Sequence, residues 1–210
     1  MRLHWIPGSA AMAPHAALAE IGVDYELARV EWDEAGRSPA EYLALNPSGR
    51  VPTLEDGELV LTESAAILLH LADSYPEARL APPVGERAQL YRWLVFLTNT
   101  VQTALLRYLY PERYGDGDVR AVAAAELQQL FDRIDGELAG RDWLVGSERS
   151  VADLFLFMLT RWGRHLDPQA WERPNVRSHF VRTLELPGVR RMIDEQQLEL
   201  PQFAPSSPRG

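Results

Sequence analysis

The chain has no cysteine. That removes disulfides, thiolate metal sites and a cysteine nucleophile together, and it fits a reducing, cytoplasmic setting. No apolar run approaches the roughly 18 residues of a membrane-spanning helix. The opening Met1-Arg-Leu-His-Trp-Ile-Pro-Gly8 is too short in its apolar part for a signal peptide and reads as a strand. Positive charge is also scarce: 21 basic against 30 acidic residues leave a net charge of −9. Phosphate backbones and anionic lipid surfaces both demand clustered cations, so neither nucleic acid nor membrane is an expected partner. The remaining composition, with 46% hydrophobic and 24% charged residues, is that of an ordinary soluble chain with ample material for a core. Its length suits one large domain or two modest ones.

Periodicity divides the chain. Residues 2–6 read as a strand ended by Pro7-Gly8, and the apolar spacing from about Ala11 to Ile21 is helical, with Gly22 as its stop. Tyr25 to Val30 alternates as a second strand does, and Pro39 to Leu45 is a short helix. Val51–Leu54 and Leu59–Leu61 flank Asp56-Gly57, a strong hairpin signal, and Glu63 to Asp73 is amphipathic and helical. The order β-α-β-α-β-β-α over residues 1–75 is thioredoxin-like. Residues 76–85, dense in helix breakers, read as a linker. From 86 to 200 the pattern is helical throughout. Leu90, Trp93, Leu94, Leu97, Val101, Leu105 and Tyr108 form one stripe. Further helices are expected at Val119–Leu138, Ser150–Arg164, Val176–Thr183 and Val189–Gln196, before a breaker-rich tail over 201–210. The expected plan is an α/β domain followed by an all-α one.

Asn46-Pro-Ser-Gly-Arg-Val-Pro-Thr-Leu54 and Thr62-Glu63-Ser64 carry the clearest chemistry. A residue before proline is held extended, so Val51 ahead of Pro52 can offer its N–H and C=O to another extended backbone. Glu63 supplies a carboxylate for an ammonium group. Ser64 adds a hydroxyl beside free helix N–H groups, which suit a carboxylate. Such a set holds a small peptide by both ends and its middle, and it matches glutathione. Without a ligand, Glu63 and Ser64 would simply favour a helix start. Ser150 and Asp153, three apart before an apolar run, read as a structural capping box.

These motifs, with the opening segment through His15, Ser150-Val-Ala-Asp153 and the late Leu186-Pro-Gly-Val189, resemble the glutathione transferase superfamily over nearly the whole chain. The bacterial beta class is the most similar. The resemblance implies glutathione as co-substrate, no metal, a homodimer and a small hydrophobic electrophile as second substrate. It also implies that the beta class's tyrosine, cysteine and serine positions are held here by Trp5, Ala10 and Ala11. Its active-site histidine position falls at Gln102.

Ser9 is the hydroxyl left in the first loop, and it is the candidate donor to a bound thiolate, with the backbone N–H groups of Ala10 and Ala11 as alternatives. Val51, Pro52, Glu63 and Ser64 are the expected glutathione contacts. Trp5, as a wall, with Arg107, Tyr110 and Trp162, is the expected lining of the second-substrate cleft. Two functional readings are open. One is thiolate attack on an electrophile, with glutathione-dependent disulfide or peroxide reduction as a relative of it. The other is a non-catalytic glutathione-binding or scaffold role.

Overall fold

The protein is described by a computed structural model over residues 1–201. Residues 202–210, most of the expected tail, lie outside the described residues. Four strands, β1 (Arg2–Trp5), β2 (Glu26–Arg29), β3 (Thr53–Asp56) and β4 (Leu59–Thr62), form one sheet in the order β2-β1-β3-β4. β1 pairs parallel to β2, which requires a crossover, and α1 (Met12–Ile21) supplies it. The β1–β3 and β3–β4 pairs are antiparallel. The hairpin between β3 and β4 turns one residue later than its Asp-Gly signal suggests. Asp56 still pairs with Leu59, so the turn residues are Gly57, at φ 60°, and Glu58. A positive φ at the first turn residue alone is the type II′ pattern, in which glycine takes that place. Short α2 (Ala40–Leu45) and longer α3 (Ser64–Ser74) complete this thioredoxin-like unit.

After 3₁₀ turns at Pro76–Ala78 and Val84–Glu86, the rest is helical: α4 (Ala88–Phe96), α5 (Thr103–Leu109), α6 (Val119–Leu138), α7 (Val151–Trp162), α8 (Pro174–Leu184) and α9 (Pro187–Gln196). The single long helix expected before Tyr108 is interrupted. Leu97–Gln102 forms a π-helical segment between α4 and α5. Threonine explains part of this: the Thr98 hydroxyl donates to the Leu94 carbonyl at 2.7 Å, and the Thr103 hydroxyl to the Thr98 carbonyl at 3.4 Å. Such side-chain bonds compete with the i→i−4 ladder. The apolar stripe survives the change, with Leu90, Trp93, Leu94, Leu97, Val101 and Leu105 all buried.

α7 is the centre of the helical layer, with every residue from Val151 to Trp162 buried. Its start is pinned as the sequence suggested. The Ser150 N–H and hydroxyl both donate to Asp153 Oδ2, at 2.8 and 2.9 Å. Asp153 Oδ1 accepts from the Leu144 N–H and pairs with His179 Nε2, each at 2.9 Å. All four bonds are internal, so this carboxylate is structural. One apolar core joins the two layers, running from Leu3, Leu54 and Ile67 to Phe131, Phe155 and Phe180. α9 returns to pack on α1, where a Cβ on Gly188 would stand 2.4 Å from the Glu20 backbone nitrogen. Only glycine permits that approach.

Candidate functional site

The sheet register gathers the expected peptide-binding groups. His4 pairs with Thr53 and Thr53 with Thr62, so β1 ends, β3 begins and β4 ends on one side of the sheet. The segment entering β3 carries Val51 and the buried Pro52, joined by a cis peptide bond. It is held from behind. Tyr42 Oη and Asn46 Nδ2 both donate to the Arg50 carbonyl, at 2.6 and 2.7 Å. The Val51 N–H and C=O have no partner among the described residues. Glu63, where β4 passes into α3, sits at φ 68° and ψ 114°, a region disfavoured for any residue with a Cβ. Its exposed carboxylate also has no partner there. Ser64 opens α3, leaving first-turn N–H groups free in the manner of any helix start. Its buried hydroxyl donates to the Ala10 carbonyl at 3.2 Å, tying α3 to the loop after β1.

That loop, Ile6 to Ala11, is held tightly. The Ser9 hydroxyl donates to the Ile6 carbonyl at 2.7 Å and accepts from the Ala11 N–H at 3.2 Å. The Ala10 N–H has no partner among the described residues. Gly8, at φ 69°, is held on both sides of its backbone: its N–H donates to Gln196 Oε1 at 3.1 Å, and its carbonyl accepts from Trp162 Nε1 at 2.8 Å. The helical layer therefore sets the loop's position. Between the loop and that layer lies a cleft of about 420 Å³. Ser9, Ala10 and Val51 line one wall, and Gln102, Tyr110 and Trp162 line the other.

Behind the loop, His15 is fully buried in a polar network. Its Nε2 stands 2.7 Å from Glu195 Oε2 and its Nδ1 3.0 Å from Gln196 Nε2. Gln196 Oε1 is occupied by the Gly8 N–H, so its NH₂ group faces the imidazole. His15 is then neutral with its proton on Nε2. Burial lowers its pKa below the usual 6.5, more than the neighbouring Glu195 carboxylate raises it. Tyr25 Oη donates to the same Glu195 oxygen at 2.8 Å, and burial raises the phenol's pKa.

Of the residues expected from the sequence, the structure brings Ser9, Val51, Tyr110 and Trp162 together in the cleft. Pro52, Glu63 and Ser64 adjoin it through β3 and α3. Trp5 and Arg107 stand outside its walls. Trp5 is buried at the end of β1, with its ring 6.4 Å from that of His15. Arg107 turns to α6, where Nη2 meets Glu126 Oε2 at 2.6 Å. Trp32, Arg113 and Tyr114, which no sequence motif marks, also line the cleft. They lie in irregular segments where periodicity gives no signal. Among the described residues, no group of three His, Asp or Glu side chains is placed to hold a metal ion, and no helix is long and apolar enough to cross a membrane.

Comparison with known proteins converges on one family. Residues 1–73 match the glutathione S-transferase N-terminal domain and residues 96–187 the C-terminal domain. Glutathione S-transferase GstA of Escherichia coli O157:H7 is 30% identical, covering 95% of this chain and 100% of its own. A bacterial beta-class glutathione S-transferase of Sphingomonas chungbukensis superimposes with a TM-score of 0.83 at 33% identity, covering 93% of this chain and 98% of that one. A sphingomonad glutathione S-transferase complexed with glutathione gives 0.84 at 33% identity, covering 95% and 100%. The chain belongs to the glutathione S-transferase family.

Proposed function

We propose that this protein binds glutathione along the β3–α3 edge and directs its thiolate at an electrophile in the adjoining cleft. One observation carries the reading. The Val51 main chain, the Glu63 carboxylate, the first-turn N–H groups of α3 and the Ala10 N–H lie at one end of the sheet with no partners of their own among the described residues. An extended tripeptide uses all four: backbone pairing at Val51, its ammonium at Glu63, a carboxylate at α3 and its sulfur at the loop. A free thiol of pKa about 8.5 is mostly protonated at neutral pH, so the loop has to favour the anion. The Ala10 N–H and the Ser9 hydroxyl are the proposed donors. Deprotonated sulfur then attacks the electrophilic carbon, the S–C bond forms, and the leaving group departs with the displaced electron pair. Holding both reactants in one cleft supplies much of the acceleration.

Calorimetric titration with glutathione tests the cradle. Glu63→Ala removes the counter-charge for the ammonium group and should weaken binding by about 1.5–3 kcal/mol, the range for hydrogen bonds to charged groups. Unchanged affinity would remove Glu63 from the site. A second reading is favoured by the first loop, where the Ser9 hydroxyl is already committed to Ile6 and Gln102 faces the cleft. In that reading the protein binds glutathione without catalysing its transfer. Turnover of 1-chloro-2,4-dinitrobenzene above the uncatalysed rate would exclude it. Without a cysteine in the chain, any disulfide or peroxide reduction would run through the thiol of glutathione alone.

A further inference from the structure

The chain carries 30 acidic residues, yet no Asp or Glu lines the cleft, whereas Arg50, Arg113 and Arg164 do. There is no lysine anywhere, so each of these cations is a planar guanidinium suited to paired contacts with an oxyanion. Most arginines elsewhere are matched by carboxylates, as in Arg92–Glu137, Arg107–Glu126 and Arg173–Asp132, and Arg120, Arg133 and Arg141, which have none within 4.0 Å among the described residues, are exposed. Arg164 is different. It is half-buried, its Nη1 donates to the Arg161 carbonyl at 2.9 Å, and no carboxylate lies within 4.0 Å of it among the described residues. Behind it Arg161, only 6% exposed, also has no carboxylate that close, and its Nε is buried with no partner. Glu199 offers it a main-chain carbonyl at 3.3 Å and a more distant charge. Burial and repulsion from Arg164 push the Arg161 pKa down to about 10, and burial lowers that of Arg164. Two adjacent cations with no carboxylate in contact are costly to hold unless an anion joins them. Arg113 lies 4.4 Å over the Tyr110 ring, and its nearest carboxylate, Glu112, is 3.9 Å away and exposed. Around these cations the cleft presents the rings of Trp32, Tyr110 and Tyr114.

We propose that the second substrate of this cleft is an aromatic anion, its ring held among Trp32, Tyr110 and Tyr114 and its oxyanion by Arg113 and Arg164. This rests on glutathione being the first substrate. The tripeptide's own carboxylates do not account for these two arginines. Arg50 adjoins Val51 on the sheet side, whereas Arg113 follows α5 and Arg164 follows α7, across the cleft. A volume of about 420 Å³ is in the range of small-molecule sites. His165, whose pKa is lowered by burial and by both nearby arginines, stays uncharged at neutral pH, so the guanidiniums alone set the sign.

Fluorescence titration of the full chain in saturating glutathione tests this with two probes of similar ring system. These are 1-anilinonaphthalene-8-sulfonate and the uncharged N-phenyl-1-naphthylamine. The sulfonate should bind about 10-fold tighter or more. Arg164→Gln and Arg113→Gln should each remove most of that preference and leave the neutral probe within about twofold. Gln102→Glu, which adds an acid without deleting a cation, should weaken the sulfonate selectively as well. Glutathione affinity, measured in parallel by calorimetry, should change by less than about twofold in the two arginine variants. Equal affinity for the two probes, or a preference that none of the variants moves, overturns the proposal. So does a loss of glutathione affinity as large as the loss of sulfonate affinity. Failure of glutathione to bind, with the sulfonate preference intact and arginine-dependent, would instead sink the transferase reading and leave an aromatic-anion site.

Discussion

At the scale of single residues, the proposed activation of the sulfur rests on Ser9 and Ala10. Turning the Ser9 hydroxyl toward a thiolate means giving up its bond to the Ile6 carbonyl, so the net gain is that of one exchanged hydrogen bond, about 1 kcal/mol. Ser9→Ala should therefore lower turnover by roughly 10-fold at most, since each 1.36 kcal/mol is tenfold. The pKa of bound thiol, followed by thiolate absorbance, should rise in parallel while glutathione affinity holds. Coincident titration curves and equal turnover would leave Ser9 as a loop brace and the Ala10 N–H as the donor. The placing of Val51, Glu63 and Ser64 at one end of the sheet was legible because Val-Pro and Glu-Ser put backbone and side-chain chemistry into local sequence. The cleft's far wall was not. Arg107 and Tyr110 sit three apart, a spacing that shares one face of a helix, yet one meets α6 and the other lines the cleft. The reason is that α5 ends at Leu109, and Tyr110 leaves helical geometry at φ −130° and ψ 56°.

At the scale of elements, α1, α9 and the first loop are joined through His15. Because burial holds the folded His15 pKa below its unfolded value near 6.5, the unfolded chain takes up this proton more readily. Stability should be full above about pH 6.5 and should fall as the pH drops through the folded pKa. Denaturant midpoints at about pH 7.5, 6.0 and 5.0 should decline in the wild type and decline less in His15→Gln. Parallel declines would show that other groups titrate instead. Protonation also places a hydrogen on Nδ1, which now accepts from Gln196, so the Gly8 contact weakens over the same range. From the sequence, His15 was only one polar residue in an apolar helix. Its partners, Glu195 and Gln196, lie 180 and 181 residues away, beyond the reach of local pattern.

At the scale of the whole molecule, apolar side chains remain exposed on β4 and α4, namely Leu59, Val60, Tyr91 and Val95, with Val122 on α6. β4 is also an edge strand, which proteins rarely leave uncovered. We expect a two-fold dimer that buries these faces. Light scattering should give about twice the 23.7 kDa chain mass, and Tyr91→Glu combined with Val95→Glu should shift it to monomer. A wild-type monomer at micromolar concentration would refute the dimer.

The bond from Gln196 to Gly8 joins residues 188 positions apart, and it has a bearing on synthesis. A ribosome delivers the sheet and its loop first. The side chain that fixes the Gly8 N–H arrives much later, with α9. A nascent chain can thus complete the strands and α1 well before the Gly8 N–H has its partner, and the first loop takes its final position only once residue 196 has cleared the exit tunnel.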